Sequence, residues 1–222
     1  MIFEDRRDAG RALARIMRGA REWTNAIVLG IPRGGVPVGF EVAKSLGLPL
    51  DVFVVRKLGA PGHEELAMGA VASGGTRVIN EPVVRELGIS QEALEATARR
   101  ETLELERREK AYRDGQPPAR IEGRTAILVD DGLATGASMM AAVRAVRPRA
   151  QDVVVAVPVA APATCDDMSH EVDEVICVSK PESFMAVGMF YRNFQPVTDE
   201  EVRVLLAEAR GGVDRSAAGK AA

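Results

Sequence analysis

Two adjacent acids, Asp130 and Asp131, stand between an apolar run and a loop of small residues, and that setting gives them chemistry. Residues 126–129 (Ala-Ile-Leu-Val) have the make-up of a strand buried on both faces, which puts the acids at a strand's carboxyl end. Gly132 and Gly136 bracket Leu133, Ala134 and Thr135, and Ala137 and Ser138 lead into the helix-compatible residues 139–146. Backbone N–H groups in such a loop, with the free donors of the helix's first turn, would cradle a phosphate. Carboxylates accept hydrogen bonds from vicinal hydroxyls and attract a divalent cation, so the pair beside a phosphate cradle suits a sugar phosphate. An ordinary strand–turn–helix connection shares much of this pattern and is the plainer reading.

Further upstream, residues 26–29 form another apolar strand, followed by Gly30-Ile31-Pro32-Arg33-Gly34-Gly35 and a helix over 36–46. Pro37 fits the first turn of that helix and Gly47 its end. Paired glycines serve any tight connection, but here they also leave N–H groups open to a ligand. Residues 50–55 read as a second strand ending in Arg56 and Lys57. An isolated cation pair is usually a solvated rim, yet ligands in open parallel sheets gather at such strand ends. Residues 58–65 (Leu-Gly-Ala-Pro-Gly-His-Glu-Glu) read as a flexible polar loop carrying His63, Glu64 and Glu65. The other histidine, His170, falls near a helix end and reads as structural.

Several elements must position these groups. Residues 5–18 set Ala9, Leu13, Ile16 and Met17 against Arg7, Arg11, Arg15 and Arg18, as an amphipathic helix does. Residues 67–72 and 77–79 flank Ser-Gly-Gly-Thr as a hairpin, and Ser90 caps a charged helix from Gln91 to about Tyr112. Residues 153–157 and 172–178 make a fourth and a fifth strand, joined by a short helix near 162–168. Strand–helix alternation with apolar strands predicts an α/β fold with a doubly wound, mostly parallel sheet of about five strands. If the strand before Asp130 lies beside the strand before Gly30, their loops flank the topological switch point and face each other. Residues 184–194 hold Phe184, Phe190, Tyr191 and Phe194, which read equally well as a satellite core or as a surface on which a planar ring stacks. Thr198 with Glu201 opens a final helix to about Arg210, and the small, polar residues 211–222 read as a disordered tail.

At 222 residues the chain fits one domain, 1–210, with hood segments from 58–120 and 181–210. A net charge of −3 and a pI near 5.6 carry no basic footprint for nucleic acid. Cys165 and Cys177 lack metal-ligand spacing and read as reduced core residues of a cytoplasmic protein. The N-terminus has no secretory pattern, and the longest apolar run, 153–163, contains two prolines and is too short to span a bilayer, so no membrane partner is expected.

The run from the apolar strand through Asp130-Asp131-Gly132 and Ala134-Thr135-Gly136-Ala137-Ser138 resembles the phosphoribosyl-pyrophosphate (PRPP) signature of type I phosphoribosyltransferases. That resemblance implies transfer of ribose 5-phosphate from PRPP to a nitrogenous base or other nitrogen acceptor, with Mg²⁺ as cofactor and pyrophosphate as product. It implies that Asp130 and Asp131 hold the ribose hydroxyls and meet the metal mostly indirectly, through PRPP. Gly132, Ala134, Thr135, Gly136, Ala137 and Ser138 would hold the 5-phosphate. Arg33, Gly34, Gly35, Arg56 and Lys57 would face pyrophosphate, commonly with a cis peptide before the paired glycines. Residues 58–65 would close over PRPP, with Lys57 and Glu64 as catalytic candidates. Phe184, then Tyr191, would stack on the acceptor. Hypoxanthine-guanine enzymes place a third carboxylate where this chain has Ala134, whereas adenine phosphoribosyltransferase resembles this chain in having alanine there, which turns the expectation away from oxopurines. A homo-oligomer is compatible with this reading. A PRPP-binding regulator without catalysis is the alternative.

Overall fold

The apolar runs at 26–29 and 126–129 pair directly. β1 (Ala26–Gly30) lies parallel to β6 (Thr125–Val129), Ala26 opposite Thr125 and Gly30 opposite Val129. This computed structural model describes residues 1–218, apart from the side chains of 64, 65 and 212 onward. In chain order the elements are α1 (Arg6–Ala20), β1, α2 (Gly35–Leu46), β2 (Leu50–Val52), β3 (Val55–Ala60), β4 (His63–Ala72), β5 (Thr76–Ile79), α3 (Glu81–Glu86) and α4 (Gln91–Arg113). There follow β6, α5 (Ala137–Val146), β7 (Asp152–Val159), α6 (Pro162–Ser169), β8 (Glu174–Ser179) and α7 (Asp199–Ala218). The order β2-β1-β6-β7-β8, parallel throughout, is the expected doubly wound sheet of five strands.

Burial on both faces explains why these strands are apolar without alternation. Val28, Ile127, Val129, Val154 and Ala156 pack with Leu13 and Met17 of α1, Phe40 of α2 and Leu205 of α7. The intervening Ile27, Leu29, Leu128, Val153 and Val155 pack with Met139, Val143 and Val146 of α5 and with Cys165 and Met168 of α6. Asp5 caps α1 by accepting from the Asp8 N–H, and Ser90 caps α4 by accepting from Ala93. Ile16 of α1 stays exposed rather than joining the apolar face. Among the described residues no helix is long and apolar enough to cross a membrane.

Three expectations change. First, the strand expected over 50–55 stops at Val52. The Phe53 N–H still donates to Gly30 O, but the Val54 N–H donates to Ser73 Oγ and Val54 O accepts from the Ser73 N–H, so the chain changes partners there. Arg56 and Lys57 therefore lie inside β3 of a second, antiparallel sheet, β3-β4-β5. Second, residues 58–65 are not an open loop. Pro61 and Gly62 (φ +77°) turn β3 into β4, Ala60 pairs with His63, and Leu58 and Ala60 are buried in the cluster that holds Leu94, Ala98 and Leu105 of α4. Pro followed by a positive-φ Gly is a type II turn pattern. Third, α7 runs past Arg210 to Ala218, while 219–222 lie outside the described residues.

One buried ion pair ties the end of α4 to β2 of the parallel sheet. The Arg113 Nε–H lies 3.0 and 3.1 Å from Asp51 Oδ1 and Oδ2, its NH2 donates to Val52 O at 3.0 Å, and NH1 lies 2.9 Å from Glu109 Oε1. Asp51 also accepts from the Val52 and Ala119 N–H groups. With side chains 6% and 10% exposed, neither charge can fall back on water. Arg113→Met is therefore expected to cost about 3–5 kcal/mol in chemical denaturation, because it leaves Asp51 buried without its counter-charge. The double variant Arg113→Met with Asp51→Asn should lose less than the sum of the two single variants.

Candidate functional site

Asp130 and Asp131 end β6 at the carboxyl edge, where the loop after β1 meets them. The approach is close enough to dictate residue type. A Cβ on Gly34 would lie 2.0 Å from Asp131 Oδ2, and one on Gly35 would lie 2.3 Å from Val129 O and 2.8 Å from the Asp130 Cα. Backbone excludes any side chain at Gly35, and at Gly34 a side chain would displace the Asp131 carboxylate. The Ile31 N–H donates to Val129 O at 2.8 Å, and the peptide between Pro32 and Arg33 is cis, as the resemblance implies.

The two carboxylates are held differently. Asp130 Oδ1 accepts from the Asp131 N–H at 2.8 Å. Asp131 Oδ2 accepts from the Arg6 Nε–H at 2.8 Å, with both side chains about 85% or more buried. Burial, and then the charge of Asp131, pushes the Asp130 carboxyl well above its ordinary range. Burial also raises Asp131, while the Arg6 hydrogen bond and charge pull the other way. Two carboxylates packed this way are short of positive charge.

Beyond them the backbone supplies donors. Gly136 adopts φ +72° and caps α5, turning the chain so that the first turn faces the loop. Among the described residues the N–H groups of Ala134, Thr135, Gly136, Ala137 and Ser138 donate to no protein acceptor. Ala134, Thr135, Ala137 and Ser138 are exposed. The loop is braced from below: the Leu133 N–H donates to Val159 O, the Ala161 N–H to Leu133 O, and Thr164 Oγ1–H to Ala134 O at 2.6 Å. Free donors on a braced loop at a helix N-terminus form an anion cradle.

The proposed pyrophosphate cations are placed less uniformly. Arg33 is half exposed at the tip of its loop, with NH1 3.6 Å from Asp199 Oδ1 at the start of α7. Arg56 is bound to Glu101 of α4 through Nε at 2.9 Å and through NH2, on the face that Leu58 shares. Lys57 is exposed on the opposite face, which it shares with Val55; Val55 packs on the cluster of Met139 and Ala142 from α5. The sheet switch at Val54 thus separates two cations expected to act together. The side chains of Glu64 and Glu65 lie outside the described residues.

A strap over residues 181–197 covers the site. Val187 packs where a Gly132 Cβ would stand, 2.5 Å away. Tyr191 is 6% exposed, tilted against Phe3 and Phe194, and its hydroxyl donates to Asp131 O at 2.5 Å. Its ring is interior, so the acceptor-stacking role expected for it gives way to a scaffold role. Burial raises its phenol. Phe184 is half-buried and stacks on Phe190 with centroids 5.4 Å apart. No motif marks Arg6 or Thr164 in the sequence, since the fold alone brings them to the signature.

The geometry agrees with what this chain is similar to. A model of the phosphoribosyl transferase domain matches residues 3–194. Proteins from two strains of Mycobacterium tuberculosis, provisionally named phosphoribosyl transferases, are 45% identical over 223 aligned residues, covering 97% of this chain and 50% of theirs. The chain thus spans about half the length of the curated relatives it matches. The crystal structure of TT1426 from Thermus thermophilus superposes with a TM-score of 0.84 at 45% identity, covering 94% of this chain and 99% of that one. A match running across the parallel sheet, both facing loops and the strap leaves one assignment: the chain belongs to the phosphoribosyl transferase domain family.

Proposed function

We propose that the protein transfers the 5-phosphoribosyl group of PRPP to a nitrogen nucleophile and releases pyrophosphate. The observation that carries this reading is the row of unpaired N–H groups from Ala134 to Ser138, beside two carboxylates and in contact with the Gly34–Gly35 loop. In this reading Gly132, Ala134, Thr135, Gly136, Ala137 and Ser138 receive the 5-phosphate, and Asp130 and Asp131 accept hydrogen bonds from the ribose hydroxyls. Gly34 would offer its backbone N–H to pyrophosphate, whereas the Gly35 N–H is taken by Ile31 O at 2.9 Å; Arg33 and Lys57 would add charge, with Arg56 in reserve behind Glu101.

The donor set fits Mg²⁺, because adjacent carboxylates whose ionised forms are penalised by burial are the hard oxygen ligands such a cation prefers. Asp130 and Asp131 would meet it, largely through PRPP, and it would supply positive charge for the departing pyrophosphate. The chain's own part is positioning and electrostatics. Fixed N–H donors and cations face the oxygens on which negative charge grows as the glycosidic bond breaks, and they need no reorganisation when it does. The β3–β4 hairpin, with Glu64 near its tip, would exclude water that could otherwise intercept the activated ribose.

The acceptor follows from what is missing. Ala134 presents a methyl, and its carbonyl is held by Thr164, so no carboxylate stands there to take a proton from an oxopurine. An aminopurine or another heteroaromatic nitrogen fits better, stacked on Phe184 of the strap. The same vacancy favours a second reading, a PRPP-binding regulator that performs no transfer.

Incubation with PRPP, Mg²⁺ and a panel of bases, with pyrophosphate followed continuously, separates the two. Release that depends on one acceptor and stops with chelator supports transfer, whereas binding without release supports the regulator. The double variant Asp130→Asn with Asp131→Asn should stay folded and lose PRPP binding by at least about 100-fold in calorimetry, the scale set by fixed polar groups at such sites. Wild-type-like affinity would remove the site assignment. Phe184→Ala should raise the acceptor KM by about 5- to 150-fold, the equivalent of about 1–3 kcal/mol of ring stacking, with the KM for PRPP unchanged.

A further inference from the structure

We infer that Arg6 is a positioning residue for Asp131 and, through it, for the ribose of PRPP. The inference rests on the PRPP reading and adds a group from outside the signature. Arg6 stands in the first turn of α1, 125 residues before its partner. Its guanidinium is engaged on three sides. Nε donates to Asp131 Oδ2 at 2.8 Å, NH1 donates to the Gln195 carbonyl at 2.8 Å, and Cζ lies 3.9 Å from the centre of the Phe194 ring. Its side chain is 12% exposed, and a Cβ on Gly34 would come within 3.3 Å of Nε. Arg6 thus touches the ribose carboxylate, the strap and the pyrophosphate loop at once.

The contacts are divided so that Asp131 keeps one oxygen for substrate. Oδ2 is taken by Arg6, whereas Oδ1 accepts no hydrogen bond among the described residues. A carboxylate with one oxygen clamped and one free presents a single directed acceptor to a ribose hydroxyl. The clamp also supplies positive charge to an acid pair that burial has left short of it. Lysine could not do the same, because an ammonium lacks the planar fork that meets Asp131 and Gln195 together while lying on Phe194.

The test uses Arg6→Met, Arg6→Lys and Arg6→Ala in the full chain, reading PRPP affinity by calorimetry beside thermal unfolding. Arg6→Met should bind PRPP roughly 10- to 100-fold more weakly, the range for losing a partner that orients a ligating group, while keeping a cooperative transition. Arg6→Lys should recover only part of that loss. Millimolar methylguanidinium should restore PRPP affinity to Arg6→Ala, where the side-chain space is open, and not to Arg6→Met, where it is filled. Arg6→Met with affinity within threefold of the parent overturns the inference while leaving the PRPP reading intact. Loss of affinity only in step with loss of folding, and without rescue in Arg6→Ala, shows a merely structural role and overturns it too. A parent protein that does not bind PRPP at all overturns both.

Discussion

Everything at the carboxyl edge depends on how closely the loop after β1 lies against the end of β6. With Gly35 seated on Val129 O and Asp130, the two loops leave no room for a side chain between them. That approach follows from the in-register pairing of two buried, branched strands, which sets their ends level. Had either strand slipped by one residue, inward and outward side chains would have exchanged faces and the packed layers of α1, α2 and α5 would have lost their partners. The core therefore sets the site's geometry, and the glycines merely permit it.

Charge is the second constraint. Two carboxylates side by side in a crevice that is mostly excluded from water would repel each other unless something answered them. The protein answers with few formal charges, namely one buried guanidinium from α1, and with many partial ones, the unpaired backbone donors of the loop into α5. Such an arrangement is incomplete by itself. Under the proposed function it would suit a ligand carrying both anionic and hydroxyl groups together with a cation, the composition of a sugar phosphate bound with a metal.

How much of this is legible in the sequence varies with how local each feature is. The end of β6, the paired glycines, the Ser90 cap and the five parallel strands all follow from short stretches whose residue types have one good physical use. The sheet switch at Val54 does not, because the residues from 50 to 60 alternate plausibly in either sheet and Ser73, just past the end of β4, marks where pairing changes. Residues 58–65 look polar and loose for the same reason: Leu58 and Ala60 find their burial against α4, some forty residues away in sequence. Tyr191 reads equally as a stacking surface or a core residue, and its hydroxyl on Asp131 O settles it as core. Arg6 resembles any other arginine of α1 until the chain closes on itself.

That closure bears on the order in which the molecule is made. Arg6 meets Asp131 across 125 residues and Gln195 across 189, and Phe3 is bridged to Tyr191. Loop-closure entropy for such distant pairs must be met before they return any stabilisation, so they form late, after the local hairpins and helices. A nascent chain that has emerged through β6 already holds both carboxylates, the glycine turn and Arg6, yet it lacks the strap that pins them. Until residues 181–197 have been made, the acidic pair therefore lacks its strap, and the contacts of Arg6 with Gln195 and of Tyr191 with Asp131 are still to form.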